Sequence, residues 1–410
     1  MIERPDEDVR GGLRGVVALC VAIFFADASW SAAIPTFPSF AMTLGASLTM
    51  VGILASTSSI STTLSSIPLG SLSDRFGRRG VMLLGMSCFA VTPLMYTISS
   101  SPVHLLIPRT LLGIAMGSTF SIGFVNITEL AAPRFRSKAQ GLYMTSMGIG
   151  FTLGPLIGGI TAKAYGYSTS FYFGTGFGLA GLLTVLIAMK SKENAADPKV
   201  AIEESSAGGF GDVLADPKIV AAGAANFFNS MLFSATMTFF PLYGVQVGFD
   251  ESQVGVGLTA RGLSSTASRF PTGVIAKRGN VLTLMMVGLG MTAMTLLFLP
   301  LFADILTIGL ILGVQGVAYG IYLTAGNAYI TEVAPTGRRG TAIGVYSTFS
   351  NVSGVVSPIF LGALAEVWGL RGAFQFSAAL AMAGTILTLV LAWKGEKSKS
   401  NSDPAKRKFS

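Results

Sequence analysis

Two ionisable side chains lie deep within long apolar segments of this chain. Asp27 is the only acidic residue far inside such a segment, and Arg109 stands near the end of another. A charge in hydrocarbon costs about 2.5–3.5 kcal/mol on insertion scales, so each residue should face a polar cavity. Because burial and a nearby guanidinium act on a carboxyl pKa in opposite directions, a change in their separation would let Asp27 bind or release a proton. The alternative is a structural ion pair that fixes two helices.

The composition indicates that the segments around these residues cross a membrane. Of 410 residues, 51% are hydrophobic and only 12% are charged, with a mean hydropathy of +0.63, whereas soluble domains carry about 25% charged residues. We expect the first apolar block to remain as a span and not to be removed as a signal peptide. Blocks of about 20 residues cross about 30 Å of hydrocarbon, and they predict twelve spans: 13–36, 47–70, 79–99, 104–127, 138–162, 168–189, 218–243, 252–275, 281–301, 305–330, 340–365 and 370–393.

The placement of lysine and arginine predicts the orientation of these spans. Most of the 28 basic residues fall in alternate connections and near the two termini, and the remaining connections hold only Lys163 and Arg371. By the positive-inside rule, both termini are expected to be cytoplasmic. The short outer loops favour a multi-pass protein of the plasma (inner) membrane. The formal charge of +8 therefore follows from topology, and we expect no nucleic acid partner.

Several classes of chemistry are excluded by the residues that are present. Cys20 and Cys88 lie inside apolar blocks and His104 is the only histidine, so we expect neither a disulfide framework nor a metal site. There is no G-K-[ST] phosphate loop and no nucleophile or acid–base group of residues typical of an enzyme. We therefore expect no cofactor and no enzymatic activity, and energy must come from an ion gradient or from the substrate's own gradient.

The chain is predicted to consist of two related halves. An N-terminal six-helix bundle (1–190), a cytoplasmic linker (191–217), a C-terminal six-helix bundle (218–393) and a cytoplasmic tail (394–410) are expected. Prolines, glycines and loop charges of the two bundles align when the sequence is shifted by one constant number of residues. This shift places Phe37 on Phe240 and Pro155 on Pro358, and we call it the repeat offset. Two bundles of the same orientation enclose a central cavity, and rocking exposes it to either side in turn. This arrangement predicts a transporter that acts as a monomer in the lipid bilayer.

The loop after the second span carries the first of three motifs. Residues 70–79 read GSLSDRFGRR, which resembles the signature loop G-x-x-x-D-R-x-G-R-R of the major facilitator superfamily at every defining position. The resemblance extends to the whole chain, so it implies an all-α polytopic membrane protein with the major facilitator fold and two pseudo-symmetric six-helix bundles. In that family the loop latches the halves in the outward-open state. Here the latch residues are predicted to be Gly70, Asp74, Arg75, Gly77, Arg78, Arg79, Glu129, Glu332 and Arg339.

The charges of this latch suggest specific partners. Asp74 is expected to face the positive N-terminal end of the eleventh span. Glu129 is a candidate partner for Arg78 or Arg79, and Glu332 for the basic pair at 338–339. The second half departs from the pattern, with Lys277 in place of an acidic residue and Asn280 in place of a glycine, so the latch is expected to be asymmetric.

The fifth span carries the second motif and the fourth span the third. Residues 150–159 read GFTLGPLIGG, which resembles the family's antiporter motif; its residues are Gly150, Gly154, Pro155, Gly158 and Gly159. That pattern is associated with proton-coupled drug exporters and multidrug resistance, and the alternative reading is simple helix packing. Arg109 opens an R-x-x-x-G element that ends at Gly113, which the family links to proton transfer, and the resemblance thus supports Asp27 and Arg109 as the coupling pair.

These features predict a secondary active transporter that exports a small amphipathic molecule by proton antiport with alternating access. Because Arg109, Arg261 and Arg269 outnumber Asp27 inside the spans, neutral or anionic substrates are favoured over cations. A facilitator or proton-coupled importer of a metabolite remains the alternative, and a transporter-derived sensor is a further one. The candidate cavity residues are Trp30, Phe120, Phe227, Arg261, Tyr319, Tyr322 and Asn327.

Overall fold

The computed structural model describes residues 5–189, 213–276, 279–335 and 338–402, with side chains from residue 13 to residue 392. In these ranges the chain is helical and contains no strand. The predicted linker 191–217 lies mostly outside the described residues, as does Lys277, and the tail 394–410 is described only in backbone to residue 402.

The described part of the first half contains eight α-helices. A π-helical turn, Gly117–Ser121, joins the fifth and sixth into one span, and a 3₁₀ turn, Pro133–Phe135, precedes the seventh. The helices are α1 (Pro5–Ser31), α2 (Phe37–Thr43), α3 (Leu48–Phe76), α4 (Arg78–Thr97), α5 (Leu106–Met116), α6 (Ile122–Leu130), α7 (Arg136–Tyr165) and α8 (Tyr167–Ala188).

Within its described ranges, the second half contains five helical elements, of which the last holds two spans. A 3₁₀ turn, Leu299–Leu301, follows the third of them, and Gly369 interrupts the last with φ 71° and ψ 170°. The elements are α9 (Pro217–Gln246), α10 (Glu251–Ile275), α11 (Val281–Phe298), α12 (Ile305–Val333) and α13 (Arg339–Ser402).

The predicted number of spans is confirmed. Nine elements in the described ranges are long and apolar enough to cross a membrane, and α13 is one of them although it holds two spans. The helices α7 and α10 complete the set of twelve; at 30 and 25 residues they are long enough. Both are rich in Gly, Ser and Thr, because they pack closely against other helices, and such residues lower the hydropathy of a span.

The duplication seen in the sequence is visible in the backbone. The starts of α3, α4 and α7 are separated by the repeat offset from the starts of α10, α11 and α13. Two turns repeat at the same offset with positive φ: Gly45 and Gly248 (91° and 93°), and Gly166 and Gly369 (90° and 71°). A side chain is strained at positive φ, so glycine is required at these four turns. The two halves therefore share one helical framework.

Candidate functional site

A cavity of about 370 Å³ lies between the two halves. Its wall is built from α1, α2, α3, α4, the fourth span and α7 on one side, and from α9 and α13 on the other. The charged and aromatic lining residues are Asp27, Trp30, Phe37, Phe89, Tyr96, Arg109, Phe120 and Phe233, and the lining also includes Met116, Met147, Met237, Thr238, Ser350 and Asn351.

Asp27 lies in the wall of this cavity and is 2% exposed. The indole Nε1 of Trp30, one helical turn away, donates a hydrogen bond to Asp27 Oδ1. The carboxylate also interacts electrostatically with Arg269 of α10, which belongs to the other half. On its far side α1 contacts α7, where a Cβ built at Gly150 would lie 3.0 Å from Asp27 Cβ. Asp27 thus lies between the cavity, the antiporter motif and the second half.

Arg109 lines the same cavity, but it is not paired with Asp27. Its guanidinium carbon lies 3.6 Å from the centroid of the Phe37 ring, and its buried Nε has no hydrogen-bond partner among the described residues. The ion pairs of the described residues do not include either residue. The expected pairing of Asp27 with Arg109 is therefore not made here. Both residues line one cavity, and the cation that interacts electrostatically with Asp27 is Arg269.

The antiporter motif contacts two different helices. A Cβ built at Gly150 or Gly154 would overlap with α1, at the backbone or at the Ser31 hydroxyl, and a Cβ at Gly158 would overlap with the backbone of Ala32, directly after α1. A Cβ at Gly159 would overlap with the backbone of α10, at the carbonyl oxygen of Glu251. One helix, α7, is therefore pressed against the helix that carries Asp27 and against the opposite half.

The contact between α7 and α10 has a duplicate between α3 and α13. A Cβ at Gly255 would overlap with the carbonyl oxygen of Pro155, and a Cβ at Gly52 would overlap with that of Pro358. The repeat offset relates Gly52 to Gly255 and Pro155 to Pro358. We call the two contacts, α7 with α10 and α3 with α13, the outer seams, because they end near the turns at Gly45 and Gly248, on the side predicted to be extracytoplasmic.

Polar contacts repeat along the outer seams as well. Ser56 Oγ donates to the Val355 carbonyl oxygen at 2.6 Å, and Thr259 Oγ1 donates to that of Thr152 at 3.0 Å. The repeat offset separates the two donors, and it also separates the two acceptors. Each seam is thus fixed by the same small-residue packing and by the same type of hydrogen bond between the halves.

Each outer seam ends in a contact with a charged side chain, and the repeat offset relates Lys163 of one contact to Glu366 of the other. Lys163 Nζ lies 2.8 Å from Asp250 Oδ2, and the backbone N–H of Thr49 donates to Glu366 Oε1 at 2.9 Å. Burial alone would raise the pKa of Asp250. Hydrogen bonds from Lys163 and Ser252 and from the backbone N–H of Gln253 lower that pKa to about 2. The Lys163 contact closes the outer end of the seam between α7 and α10.

The signature loop makes its contacts within the first half. Arg78 pairs with Glu129 at 2.9 Å and with Asp74 at 2.7 Å, and Arg79 donates to the Leu186 carbonyl oxygen at 2.8 Å. The pairing of Arg78 with Glu129 is one that the sequence predicted. The Asp74 side chain is 63% exposed, and Arg75 is exposed too.

The expected contact of Asp74 with the eleventh span is not made in this conformation. A Cβ built at Gly70, Gly77, Gly340 or Gly344 would find no atom within 4 Å, so these inner-side positions face open space. Arg339 and Glu332 are exposed. These inner-side positions therefore make no close contact between the halves here, and the latch contact is open in this conformation.

The other predicted cavity residues lie outside the lining of this cavity, whereas Trp30 and Phe120 are part of it. Phe227 packs edge-to-face on Phe228, Tyr322 is fully buried and Asn327 is exposed. Arg261, 1% exposed, donates from Nε to Gln315 Oε1 at 2.8 Å. Its guanidinium carbon lies 4.8 Å from the Tyr319 ring centroid and 5.3 Å from that of Phe233, so it lies behind the cavity wall.

Sequence reasoning missed several lining residues. Phe37, Tyr96, Phe233, Met237 and Asn351 line the cavity but were not predicted to do so. Phe37 begins a Phe-Pro pair that recurs at Phe240, and this repeated pair marked the position as special without giving its role. For the others no sequence signal was available, because helices that are apolar on all sides do not reveal which face meets the cavity.

Comparison with known proteins places the chain in a family. The model for the Major Facilitator Superfamily matches residues 19–250 and 222–410. An uncharacterized MFS-type transporter of Methanocaldococcus jannaschii is 26% identical over 84% of this chain and 89% of its own length. The quinolone resistance protein NorA of Staphylococcus aureus is 23% identical over 87% of this chain and 91% of its own.

A solved structure supports the same fold. The crystal structure of the nucleoside transporter NupG superposes with a TM-score of 0.75 at 14% identity, covering 92% of this chain and 99% of its own. The predicted fold class, twelve helices in the major facilitator fold, is confirmed, and the chain is a transporter and not an enzyme. The protein therefore belongs to the Major Facilitator Superfamily.

Proposed function

We propose that this transporter exports a small amphipathic molecule in exchange for protons by alternating access, and that Asp27 carries the proton. The observation that carries the proposal is the position of Asp27. It is the acidic residue of the cavity wall, and α1 lies on the glycines of the antiporter motif directly behind it. A proton bound there changes the charge at the point where α1, α7 and the opposite half meet.

Alternating access is supported by the asymmetry between the two sides. At the outer seams the halves are joined by close helix contacts at glycines and by hydrogen bonds. Gly340 and Gly344, on the inner side, face open space. The conformation is that of an inward-open transporter. The interaction of Asp27 with Arg269 spans the two halves, so protonation of Asp27 removes an attraction between them and favours their separation at the outer side.

The proposed setting is a plasma membrane with both termini in the cytoplasm. The partners are then the substrate, protons and the surrounding lipid, and the protein acts as a monomer. Export is supported by the antiporter motif and by the name of the relative NorA, a quinolone resistance protein. The latch of Asp74 and its neighbours is proposed to close when the inner side closes.

The experiment uses purified protein in proteoliposomes with an imposed pH gradient. A panel of amphipathic anions, neutral compounds and cations is tested for movement against a concentration gradient. We expect movement opposite to the proton flow, and its abolition by a protonophore. Substrate movement in the same direction as protons would support an importer, and movement that is insensitive to the pH gradient would support a facilitator; either result would reject the proposed exchange.

A matched control tests whether loss of any acidic residue has the same effect. Asp304 caps α12 by accepting a hydrogen bond from the Thr307 backbone N–H at 2.7 Å. Asparagine is an equally good helix cap, so Asp304→Asn removes one negative charge outside the cavity without removing the cap. Gradient-driven transport by this variant should equal that of the unchanged protein.

A further inference from the structure

The guanidinium of Arg109 is held in the cavity wall in one orientation. It lies over the Phe37 ring at 3.6 Å, an arrangement in which the ring covers one face of the guanidinium and leaves its N–H edges available. Its buried Nε has no hydrogen-bond partner among the described residues. Arg109 lines the cavity and takes part in none of the ion pairs of the described residues, so an anionic ligand would supply the counter-charge that the protein does not.

Asp27 is the other charged residue that lines the cavity. Arg261 and Arg269 each have a buried guanidinium nitrogen without a hydrogen-bond partner among the described residues, but neither belongs to the lining. The Asp27 carboxylate accepts from Trp30 and interacts with Arg269. Arg261 bonds to Gln315 and lies between two rings behind the wall. Of the charged residues that line the cavity, Arg109 is therefore the cation, and it has no ion-pair partner among the described residues.

The rest of the lining suits an apolar ring. Trp30, Phe120, Phe233 and two methionines, Met147 and Met237, contribute aromatic and thioether surface. Trp30 is part of a chain of ring contacts that runs through Phe151 to Phe233, with centroids 5.6 and 6.3 Å apart. A volume of about 370 Å³ is within the range of pockets that hold small organic ligands.

We propose that Arg109 is the subsite for the carboxylate of an amphipathic organic anion, whose ring occupies the aromatic and methionine-lined part of the cavity. The proposal rests on the proposed function and narrows its substrate class. A carboxylate matches the edge of a guanidinium, because two parallel N–H groups can donate to its two oxygens. A neutral amide of the same shape offers one oxygen and no charge, and an ammonium is repelled.

The test compares three probes that share a naphthalene ring, on purified protein in detergent at equal ionic strength. The probes are 1-naphthaleneacetate, 1-naphthaleneacetamide and 1-naphthaleneethylammonium, and binding is measured by isothermal titration calorimetry. We expect the carboxylate to bind about tenfold or more tightly than the amide, the range for a hydrogen bond to a charged group, and the ammonium to bind more weakly than the amide. Equal affinity for carboxylate and amide would overturn the proposal without any variant.

Two substitutions add a matched comparison. Arg109→Gln should remove the preference for the carboxylate, and Arg109→Lys should retain part of it, since lysine keeps the charge without the planar fork. Arg134→Gln is the control, because Arg134 also lies over a phenylalanine ring, Phe135, at 4.8 Å but is exposed outside the cavity. A preference that survives Arg109→Gln would overturn the subsite.

Binding and coupling can fail separately. Equilibrium binding is measured without a gradient, so a carboxylate preference that depends on Arg109 would stand even if no pH gradient drives transport. Conversely, gradient-driven export of neutral compounds by protein that shows no carboxylate preference would leave the proposed function in place and reject the anion subsite.

Discussion

Gly255 of α10 lies directly on the carbonyl oxygen of Pro155 of α7, so closely that a side chain at Gly255 could not be accommodated. The same relationship joins Gly52 to Pro358 on the other side of the molecule. The repeat offset relates one pair to the other. Two equivalent contacts therefore close the outer side, and a substitution that disrupts either seam should weaken this closure.

The first prediction concerns this packing. The added methyl group of Gly255→Ala overpacks the seam, which costs about 1–3 kcal/mol. The conformation with a closed outer side is therefore destabilised by that free energy. A cysteine at Asn351, which lines the cavity, reports the change in a background where Cys20 and Cys88 are replaced by serine. We expect its labelling by an impermeant maleimide from the outer side to rise roughly fivefold or more.

The control for this packing is a glycine of α8 with open space around it. A Cβ at Gly176 would find no atom within 4 Å, so Gly176→Ala should not affect labelling and should at most add the helix preference of alanine, about 0.5–1 kcal/mol. Equal labelling of the Gly255→Ala and Gly176→Ala proteins would contradict the role assigned to the seam.

The second prediction concerns pH and the pair Lys163–Asp250. The pKa of Asp250 is about 2 in this structure, against an ordinary value of 3.8. A lowered pKa means that the contact stabilises this conformation above pH 3.8 and that the benefit is lost as the pH falls toward 2. Because Lys163 is 55% exposed and Asp250 32%, the contribution is about 0.2–1 kcal/mol.

Thermal melting of the purified protein across this pH range measures that contribution. Asp250→Asn keeps the helix cap and should lower the stability by the same amount as Lys163→Gln. The double variant should lose no more stability than either single variant. Additive losses would show that the two residues do not interact.

The third prediction concerns Asp74. Its proposed partner, the N-terminal end of α13, is approached only when the inner side closes, so Asp74→Asn should destabilise the outward-open state alone. The expected cost is about 0.3–1 kcal/mol, the value of a carboxylate at a helix N-terminus. Labelling of a cysteine at Asn351 from the inner side should rise, by up to roughly fivefold. A fall in that labelling would refute the latch.

The fourth prediction concerns the buried Arg261. Gln315 accepts the hydrogen bond of its Nε, so Gln315→Ala leaves a buried charged donor unpaired and should lower stability by about 1–3 kcal/mol or more. Gln315→Glu keeps an acceptor and adds a counter-charge, so it should melt above the alanine variant. Loss of the monodisperse gel-filtration peak on heating measures both, and identical melting of the two variants would exclude this role.

Much of this architecture was predictable from sequence because it depends on residue type and spacing. Apolar blocks define the spans, and glycines that recur at one offset define where helices approach. The choice of partner for Asp27 was not predictable. The positions of Arg109 and Asp27 along their spans suggested that the two lie close together. The rotation of each helix about its own axis, which the sequence does not give, turns Arg109 toward Phe37 and allows Arg269 of the other half to interact with Asp27.

The state of the latch was not predictable either. The signature loop has the same residues in both conformations, so its sequence cannot indicate which side is closed. Cavity residues were partly missed for a related reason: Phe227 and Phe233 lie on the same apolar helix, and only its packing shows that Phe233 lines the cavity and Phe227 does not.

The central claim is that Asp27 carries the coupling proton, and one comparison in proteoliposomes tests it most directly. Asp27→Asn should abolish accumulation driven by a pH gradient and retain counterflow, the exchange of labelled for unlabelled substrate without a gradient, because counterflow requires only alternating access. The account predicts this separation of the two activities. Gradient-driven accumulation that persists in Asp27→Asn protein at the level of the Asp304→Asn control would contradict it.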